Sequence, residues 1–253
     1  MNNTTIIELS IVIGALNEED RVGKTLGKLA AFLKSNHMLH STEVVVVTAE
    51  AHDATHSIVS KAIKQFKHSQ HIKPGIKVGK GRDVAYGMLS AKGKICLFMD
   101  ADIATPLNYI LLLLPIMKYY PNDLVIGSRD LKSIHTGVRM AVSLMGNAAF
   151  KIGTGLYIHD TQCGFKAMSR KNARKLFGAL TITGWGFDME LIAIARANNI
   201  QIRGLSIPDW KDVPNGQLVT KKSSFIKTLI GTLRELAVVT YRYRTGKYKA
   251  LRS

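Results

Sequence analysis

The stretch Ile95-Cys96-Leu97-Phe98-Met99-Asp100-Ala101-Asp102-Ile103-Ala104-Thr105-Pro106 carries most of the information about the fold of this chain. Its apolar first half predicts a buried strand, and the Thr-Pro pair indicates that the strand has ended. Asp100 and Asp102 are therefore expected at the carboxyl end of the strand, which is the ligand-binding edge of an open α/β sheet. Two carboxylates there suit a divalent cation such as Mg²⁺ or Mn²⁺ shared with substrate phosphates. A solvated strand end with an Asx-turn has the same pattern.

Strands and helices alternate on both sides of this stretch. Apolar runs predict strands at 9–13, 43–47, 72–78, 95–99 and 124–126, with helices over about 22–33, 54–66, 79–91 and 107–120. The second half is less regular, with helices predicted over about 138–156 and 187–198 and strands over 164–168 and 201–207. The alternation indicates an α/β fold whose central, mostly parallel, Rossmann-like sheet is flanked by helices. With no repeat and no low-complexity linker, we expect one catalytic domain over residues 1–218.

The composition favours a polyanionic partner. The 253 residues include 35 Lys and Arg but only 18 Asp and Glu, a formal net charge of +17, which suits nucleic acid, an anionic membrane surface or phosphorylated substrates. The two cysteines lie far apart without a metal-ligand spacing, and reduced thiols point to the cytoplasm. Residues 1–8 do not resemble a signal peptide, and the longest apolar run, 109–117, is far shorter than the ~20 residues that span a bilayer. We therefore expect no membrane-spanning segment.

The last part of the chain, residues 219–253, is predicted to form a basic amphipathic helical tail. Between Lys221 and Arg252 there are nine Lys or Arg residues and one acid, Glu235. One helical face would carry Phe225, Leu229, Leu233 and Leu236. Such a helix can lie on a membrane surface, where each basic residue contributes ~1 kcal/mol. A terminal helix docked on the domain core has the same apolar stripe.

Several further motifs accompany the Asp100-Ala101-Asp102 stretch in a fixed order. They are Ser10–Ile13 followed by Asn17-Glu18, then Asp53 with Thr55, Lys80-Gly81, Gly127-Ser128-Arg129, Asp160-Thr161-Gln162, and Trp185 to Glu190. Together they resemble the family 2 glycosyltransferases with the GT-A fold, in particular the polyprenyl-phosphate (dolichyl-phosphate) mannosyl and glucosyl transferases. The resemblance covers about residues 9–218.

The resemblance implies a binding site for a nucleotide-sugar donor, either UDP-glucose or GDP-mannose. The implied donor-binding residues are Ala15, Asn17, Glu18, Asp53, Lys80, Asp100 and Ala101, and the implied ligands of Mg²⁺ or Mn²⁺ are Asp100 and Asp102. At Lys80-Gly81 we expect a glycine turn and a helix N-terminus that attract phosphate. Asn17 and Asp53 also fit as helix N-caps. Thr48-Ala49 replaces the family's acidic base-binding pair, so the nucleotide and the hexose stay open.

The resemblance also implies the residues that act on the acceptor and at the reaction centre. This catalytic set is Asp102, Arg129, Arg139, Asp160, Gln162 and Asp188. Arginine forks match phosphate oxygens, although solvated surface arginines give the same pattern. A polyprenyl phosphate has a second pKa of about 6, so it can attack without a general base. Asp188 and Glu190 would then position sugar hydroxyls or cap a helix.

The implied activity is inverting, metal-dependent transfer of glucose or mannose from a nucleotide-sugar to a polyprenyl (dolichyl or undecaprenyl) phosphate. The enzyme would be cytoplasmic and peripheral on the cytoplasmic membrane face. The alternative is a family 2 transferase with a soluble sugar or protein-linked acceptor. Nucleic-acid binding is disfavoured because no helix-turn-helix, zinc-finger or RNP motif is visible. A dinucleotide-dependent oxidoreductase is disfavoured because no Gly-x-Gly-x-x-Gly follows the first strand.

Overall fold

The structure is a computed structural model that describes residues 6–50, 52–129, 137–211 and 222–249. For residues 137–145 and 222–229 it describes the helical backbone but not the side chains. The side chains of Arg139, Phe225 and Leu229 therefore lie outside the described part of the chain.

The described strands form one seven-stranded sheet. In chain order they are β1 (Leu9–Gly14), β2 (Thr42–Val47), β3 (His68–Ile72), β4 (Ile95–Asp100), β5 (Leu124–Arg129), β6 (Phe165–Ser169) and β7 (Ile202–Ile207). Their order across the sheet is β3-β2-β1-β4-β6-β5-β7. Only β6 runs antiparallel to its neighbours, β4 and β5. The prediction of a mostly parallel α/β sheet is confirmed.

Helices connect these strands. They are α1 (Val22–Ser35), α2 (Thr55–Ala62), α3 (Lys80–Ser90), α4 (Tyr109–Tyr119), α5 (Gly137–Thr154), α6 (Arg170–Gly178), α7 (Phe187–Ala197) and α8 (Lys222–Arg244). A short 3-10 turn, Ile63–Gln65, continues α2. The sequence analysis missed α6, because the segment is mostly polar and only a narrow stripe of it is buried.

The predicted third strand, 72–78, is wrong. The strand lies earlier, at His68–Ile72, and the chain beyond it turns at Pro74 and Gly75, where φ of Gly75 is +81°. β3 is an edge strand that pairs only with β2, so its half-buried polar residues are tolerated. Proline cannot donate to a ladder, which excludes the apolar residues beyond it from the strand.

The parallel register collects the ends of the strands at one edge. Gly14 at the end of β1 is level with Val47 of β2 and with Asp100 of β4. β6 begins at the same edge, because Phe165 pairs with Met99. The loops after β1, β2 and β4 therefore meet the segment that precedes β6. All six residues of β2 are buried, as expected for a strand covered by helices on both faces.

The described half of α8 packs on the rest of the protein along one side. Leu236 and Val239 are buried, whereas Leu233 is exposed, so the predicted apolar face is divided between two environments. Thr240 approaches α5 closely enough that a Cβ on Gly153 would lie 2.4 Å from its hydroxyl. None of the helices in the described ranges is long and apolar enough to cross a bilayer.

We predict that Gly87→Ala destabilises the fold by about 1–3 kcal/mol, because overpacking strains a dense core. A Cβ at Gly87 would lie 2.3 Å from Val12 Cγ1 and 2.9 Å from Val47 Cγ2, where α3 meets the sheet. Gly27 is an exposed helical glycine with no atom within 4 Å of its added Cβ. Gly27→Ala should therefore stabilise by about 0.5–1 kcal/mol. Urea unfolding of both variants checks this, and a Gly87→Ala protein as stable as Gly27→Ala would contradict it.

Candidate functional site

Asp100, the last residue of β4, forms an ion pair with Lys80, the first residue of α3. Lys80 Nζ lies 2.7 Å from Asp100 Oδ1. The same ammonium lies 4.8 Å from the ring centre of Trp185 and 5.5 Å from that of Phe98. Burial lowers the pKa of Lys80, but the carboxylates of Asp100 and Asp188 outweigh this effect and the pKa is raised. Lys80 therefore stays charged beside Asp100.

The segment before β6 packs directly against Asp100. The Asp100 N–H donates to the Gly164 carbonyl at 3.1 Å. A Cβ on Gly164 would lie 1.7 Å from Asp100 Oδ2, so any side chain there would displace the carboxylate. One residue on, the Thr25 hydroxyl donates to the Ala101 carbonyl at 2.6 Å. Asp100 and Ala101 are thus held by three separate parts of the chain.

Asp102 follows in a turn whose backbone is strained. Its Oδ1 accepts the Ala104 N–H at 3.0 Å, which is the Asx-turn expected from the sequence. Ile103 has a φ of +53°, a left-handed conformation that costs a β-branched residue about 1–2 kcal/mol. Burial and then repulsion from Asp100 raise the pKa of Asp102. Strain of this kind persists where a loop is over-determined, as at many binding sites.

The two carboxylates fit a cation that is shared with a substrate. Among the described residues there is no group of three or more His, Cys, Asp or Glu that could hold a metal ion alone. Mg²⁺ is commonly held by one or two carboxylates together with substrate phosphates and water. Asp100 and Asp102 would supply the carboxylates of such a donor set, because both lie at the carboxyl edge of β4.

Arg129 and Asp160, predicted as separate catalytic residues, form one ion pair. Arg129 Nε and Nη2 donate to the two carboxylate oxygens of Asp160 at 2.5 and 2.9 Å. The guanidinium lies 5.0 Å from the ring centre of Trp210. Burial raises the pKa of Asp160, but Arg129 outweighs it and the pKa is lowered. Gln162 is exposed and donates its backbone N–H to Asp160 at 3.1 Å.

Asp188 is enclosed behind the site. It is 3% exposed, and its Oδ1 lies 2.6 Å from Nζ of Lys166, which is itself fully buried. Lys166 also donates to the Cys163 carbonyl at 2.6 Å. Burial raises the pKa of Asp188, and Lys166 and Lys80 offset this only in part. In this position Asp188 contacts Lys166 and not the surface of the site.

Glu190 is fully buried and binds backbone. It accepts the N–H groups of Thr181 and Ile182 at 2.9 and 2.7 Å, and the hydroxyl of Tyr248 at 2.9 Å. Its contacts are tertiary, and they fasten the segment before α7 to the C-terminal part of the chain.

The predicted donor-side residues lie together after β1 and β2. Asp53 accepts the N–H groups of Thr55 and Glu19, and the Thr55 hydroxyl accepts the Glu18 N–H at 2.8 Å. Burial raises the pKa of Asp53, but these hydrogen bonds outweigh it and lower the pKa. Ala15 donates its N–H to Val47. Asp53 therefore joins the two loops.

At the start of α3, where a phosphate-binding turn is predicted, two backbone amides already have partners within the protein. The Gly81 and Arg82 N–H groups donate to the Thr183 carbonyl at 2.8 and 3.4 Å, so they are occupied within the protein. A Cβ on Gly81 would lie 2.6 Å from Phe187 Cβ. The glycine is required for close packing against the start of α7, and Lys80 alone of this turn reaches Asp100.

The sequence analysis missed a polar cluster around Thr48. The Thr48 hydroxyl lies 2.9 Å from His56 Nδ1 and 2.7 Å from His71 Nε2, and Ser60 contacts the other nitrogen of His71 at 3.1 Å. Burial, aided by Lys73, lowers the pKa of His71 to about 4. The residue that replaces an acid of the resembling family is thus turned inward. His56 and Ser60 lie one turn apart on α2, but no sequence signal links them to Thr48 after β2 or to His71 in β3.

Comparisons with known proteins identify the family to which the chain belongs. The profile of glycosyl transferase family 2 matches residues 10–177, more than half of the chain. The chain belongs to glycosyl transferase family 2. It is therefore a glycosyltransferase, as its motifs predict. It is 32% identical to a dolichyl-phosphate beta-glucosyltransferase of Drosophila melanogaster, over 98% of this chain and 79% of that protein.

One further relative and one solved structure extend this result. The chain is 30% identical to a dolichyl-phosphate beta-glucosyltransferase of Dictyostelium discoideum, over 96% of this chain and 77% of that protein. A glucosyl-3-phosphoglycerate synthase from Mycobacterium tuberculosis, solved with Mn²⁺, UDP and phosphoglyceric acid, superimposes with a TM-score of 0.67. That likeness covers 92% of this chain and 78% of the other at 17% identity, so it shows the shared GT-A fold.

We predict that Asp188→Ala lowers the free energy of unfolding by about 3–5 kcal/mol, because it leaves the Lys166 ammonium buried and unpaired. The double variant Lys166→Met/Asp188→Ala should recover part of that loss. Urea unfolding measures both. Glu8→Ala is the control, since the Glu8–Lys94 pair is exposed and contributes at most about 1 kcal/mol. A double variant less stable than Asp188→Ala would show that the two charges are not coupled.

Proposed function

We propose that this glycosyltransferase transfers glucose from UDP-glucose to a polyprenyl phosphate such as dolichyl phosphate, with inversion and with Mg²⁺ or Mn²⁺. The observation that carries the proposal is the carboxylate pair at the end of β4, with Lys80 and Arg129 as cations near it. The relatives named dolichyl-phosphate beta-glucosyltransferase support the acceptor and the hexose, since they are similar along nearly the whole chain. Mannose from GDP-mannose is the other donor that the motifs allow.

The donor would lie along the edge formed by the loops after β1, β2 and β4. Asp100 and Asp102 would hold the cation, which neutralises the charge that grows on the departing diphosphate. Lys80 keeps the Asp100 carboxylate oriented through its 2.7 Å contact and adds a positive charge at this edge. Gly164 leaves the room that this carboxylate needs.

The acceptor phosphate is proposed to bind Arg129. The guanidinium is held in place by two hydrogen bonds to Asp160 and by the Trp210 ring. A guanidinium has more N–H groups than the two that Asp160 accepts, so others are left to donate to a ligand. A guanidinium held in one orientation suits the oxygens of a phosphate. Gln162, exposed beside Asp160, is proposed to contact the acceptor or the sugar.

The proposed reaction needs no general base. The acceptor phosphate, with a second pKa of about 6, is largely dianionic at neutral pH and attacks the anomeric carbon directly. The carbon–oxygen bond to the nucleoside diphosphate breaks as the new bond forms on the opposite face. The burial of Asp188 and Glu190 supports this proposal, because both carboxylates are bound to groups inside the protein. The site then contributes positioning and positive charge.

We further propose that the enzyme lies on the cytoplasmic face of a membrane through α8. Four of its large apolar side chains are exposed, namely Ile230, Leu233, Val238 and Tyr241. They recur at helical spacing, and exposed Arg234 and Arg244 lie among them. An apolar stripe with basic neighbours and a net charge of +17 suits an anionic lipid surface, where a polyprenyl phosphate would be presented.

The activity is tested with purified protein, radiolabelled UDP-glucose or GDP-mannose, a short polyprenyl phosphate and Mg²⁺ or Mn²⁺. We expect label in the lipid extract with UDP-glucose and its loss with EDTA. Asp102→Asn should lower kcat by at least about 100-fold, and Glu8→Gln, at the far end of β1, should leave it unchanged. The absence of lipid-extractable label with either donor would refute the proposal. Label transferred only to soluble sugars or phosphoglycerate would instead establish a soluble acceptor.

The membrane proposal is tested by vesicle flotation. We expect Ile230→Ser/Leu233→Ser/Tyr241→Ser to bind vesicles of anionic phospholipid at least about tenfold more weakly than the unaltered protein, because apolar area is lost. Leu112→Ser/Tyr119→Ser is the matched control, since it removes exposed apolar side chains from α4. Equal binding by all three proteins would exclude this stripe as the membrane contact.

A further inference from the structure

Glu235 is the one acid among the basic residues of the segment between Lys221 and Arg252. Glu235 is only partly exposed, and its carboxylate binds backbone. Glu235 Oε2 accepts the backbone N–H of Gly186 at 2.7 Å, across 49 residues of sequence. This hydrogen bond connects α8 to the turn that precedes α7.

The contact between Glu235 and this turn is close. A Cβ on Gly184 would lie 2.1 Å from Glu235 Oε1, and a Cβ on Gly186 would lie 2.7 Å from Glu235 Cβ. A side chain at Gly186 would clash with the stem of Glu235, and one at Gly184 would displace its carboxylate. Trp185 stands between the two glycines, and Glu235 holds the backbone that follows it through the Gly186 N–H.

Trp185 connects this contact to the candidate site. Its ring centre is 4.8 Å from Lys80 Nζ, a distance at which an ammonium is attracted to an indole face. Lys80 in turn holds Asp100 at 2.7 Å. A continuous series of contacts therefore runs from Glu235 through Trp185 and Lys80 to Asp100.

The other end of the same segment is also held by the C-terminal part of the chain. Glu190 binds the N–H groups of Thr181 and Ile182, and it accepts the Tyr248 hydroxyl at 2.9 Å. Arg242 lies 3.3 Å from Glu190 Oε1. Residues 181–186 therefore run between the tail and the start of α3 and form hydrogen bonds with both.

We infer that Glu235 is a positioning residue for the transfer reaction. By fixing the Gly184-Trp185-Gly186 turn it keeps the Trp185 ring over Lys80, and Lys80 then orients Asp100 toward the donor. The helix with the exposed apolar stripe thus also supports the donor side of the site. The kinetic part of this inference rests on the proposed function, whereas the structural part does not.

The structural part is tested by fluorescence. The chain has two tryptophans, so Trp210→Phe leaves Trp185 as the single reporter. In that background, Glu235→Ala and Glu235→Asp should raise the amplitude of fast local anisotropy decay by at least about twofold, because an unfastened side chain moves on the ps–ns timescale. Glu235→Gln keeps an acceptor oxygen of the same reach and should leave the decay unchanged. Glu8→Ala is the control for loss of a carboxylate far from the turn.

The kinetic part is measured with Trp210 in place. Glu235→Ala should lower kcat/KM by at least about tenfold, because small displacements of positioned groups are costly. The KM for the nucleotide-sugar should rise more than the KM for the polyprenyl phosphate, and Glu235→Gln should restore both. A merely structural role would affect both substrates equally and would follow the unfolding free energy of each variant.

The outcomes separate the two proposals. Unchanged anisotropy in both Glu235→Ala and Glu235→Asp overturns the inference, and so does Glu235→Gln behaving like Glu235→Ala. If Glu235→Ala fails to fold, the anisotropy of Glu235→Asp compared with that of Glu235→Gln tests the inference. If no protein transfers hexose to lipid, the proposed function fails while the anisotropy result still stands for or against the role of Glu235.

Discussion

The ion pair between Lys80 and Asp100 joins the start of α3 to the end of β4. The rest of the candidate site is arranged around this ion pair. Lys80 begins α3, whose first amides are capped by the Thr183 carbonyl. Asp100 is the last residue of β4, and its carboxylate occupies the space that a side chain at Gly164 would fill. The 2.7 Å contact therefore connects α3, β4, the segment before β6 and the turn at Trp185. Displacing any of these four parts would move the carboxylate that faces the donor edge.

Most carboxylates of the candidate site are paired with a cation. Three carboxylates have their own cation, in the pairs Asp100–Lys80, Asp160–Arg129 and Asp188–Lys166. These pairs differ in exposure, since Lys166 and Asp188 are enclosed whereas Asp100 and Lys80 are partly accessible. The enclosed pair stabilises the framework, because an unpaired buried charge is costly. The accessible carboxylate, that of Asp100, is the one that the proposed cation and diphosphate would reach.

Much of the fold and part of the site were predictable. The sequence correctly placed the strands β1, β2 and β4 and the Asp100-Ala101-Asp102 stretch. Strand hydrophobicity and the end of a strand before a Thr-Pro pair are local signals. The polar edge strand β3 and the helix α6 were not, because neither has an apolar period long enough to recognise. The sequence also did not show what the glycine of the Lys80-Gly81 turn packs against. Gly81 does allow a close approach, but Phe187 occupies that space.

The sequence by itself determined the class of fold and the sheet edge at which the candidate site lies, together with the acids Asp100 and Asp102 found there. These follow from properties that neighbouring residues share, namely the period of apolar side chains and the position of acids after a strand. Only the tertiary structure decided which acid pairs with which cation, since the partners are separated by 20 to 31 residues and come from different parts of the chain. It also decided that Glu235 faces the turn at Trp185, because a helical period defines a face but not what that face packs against.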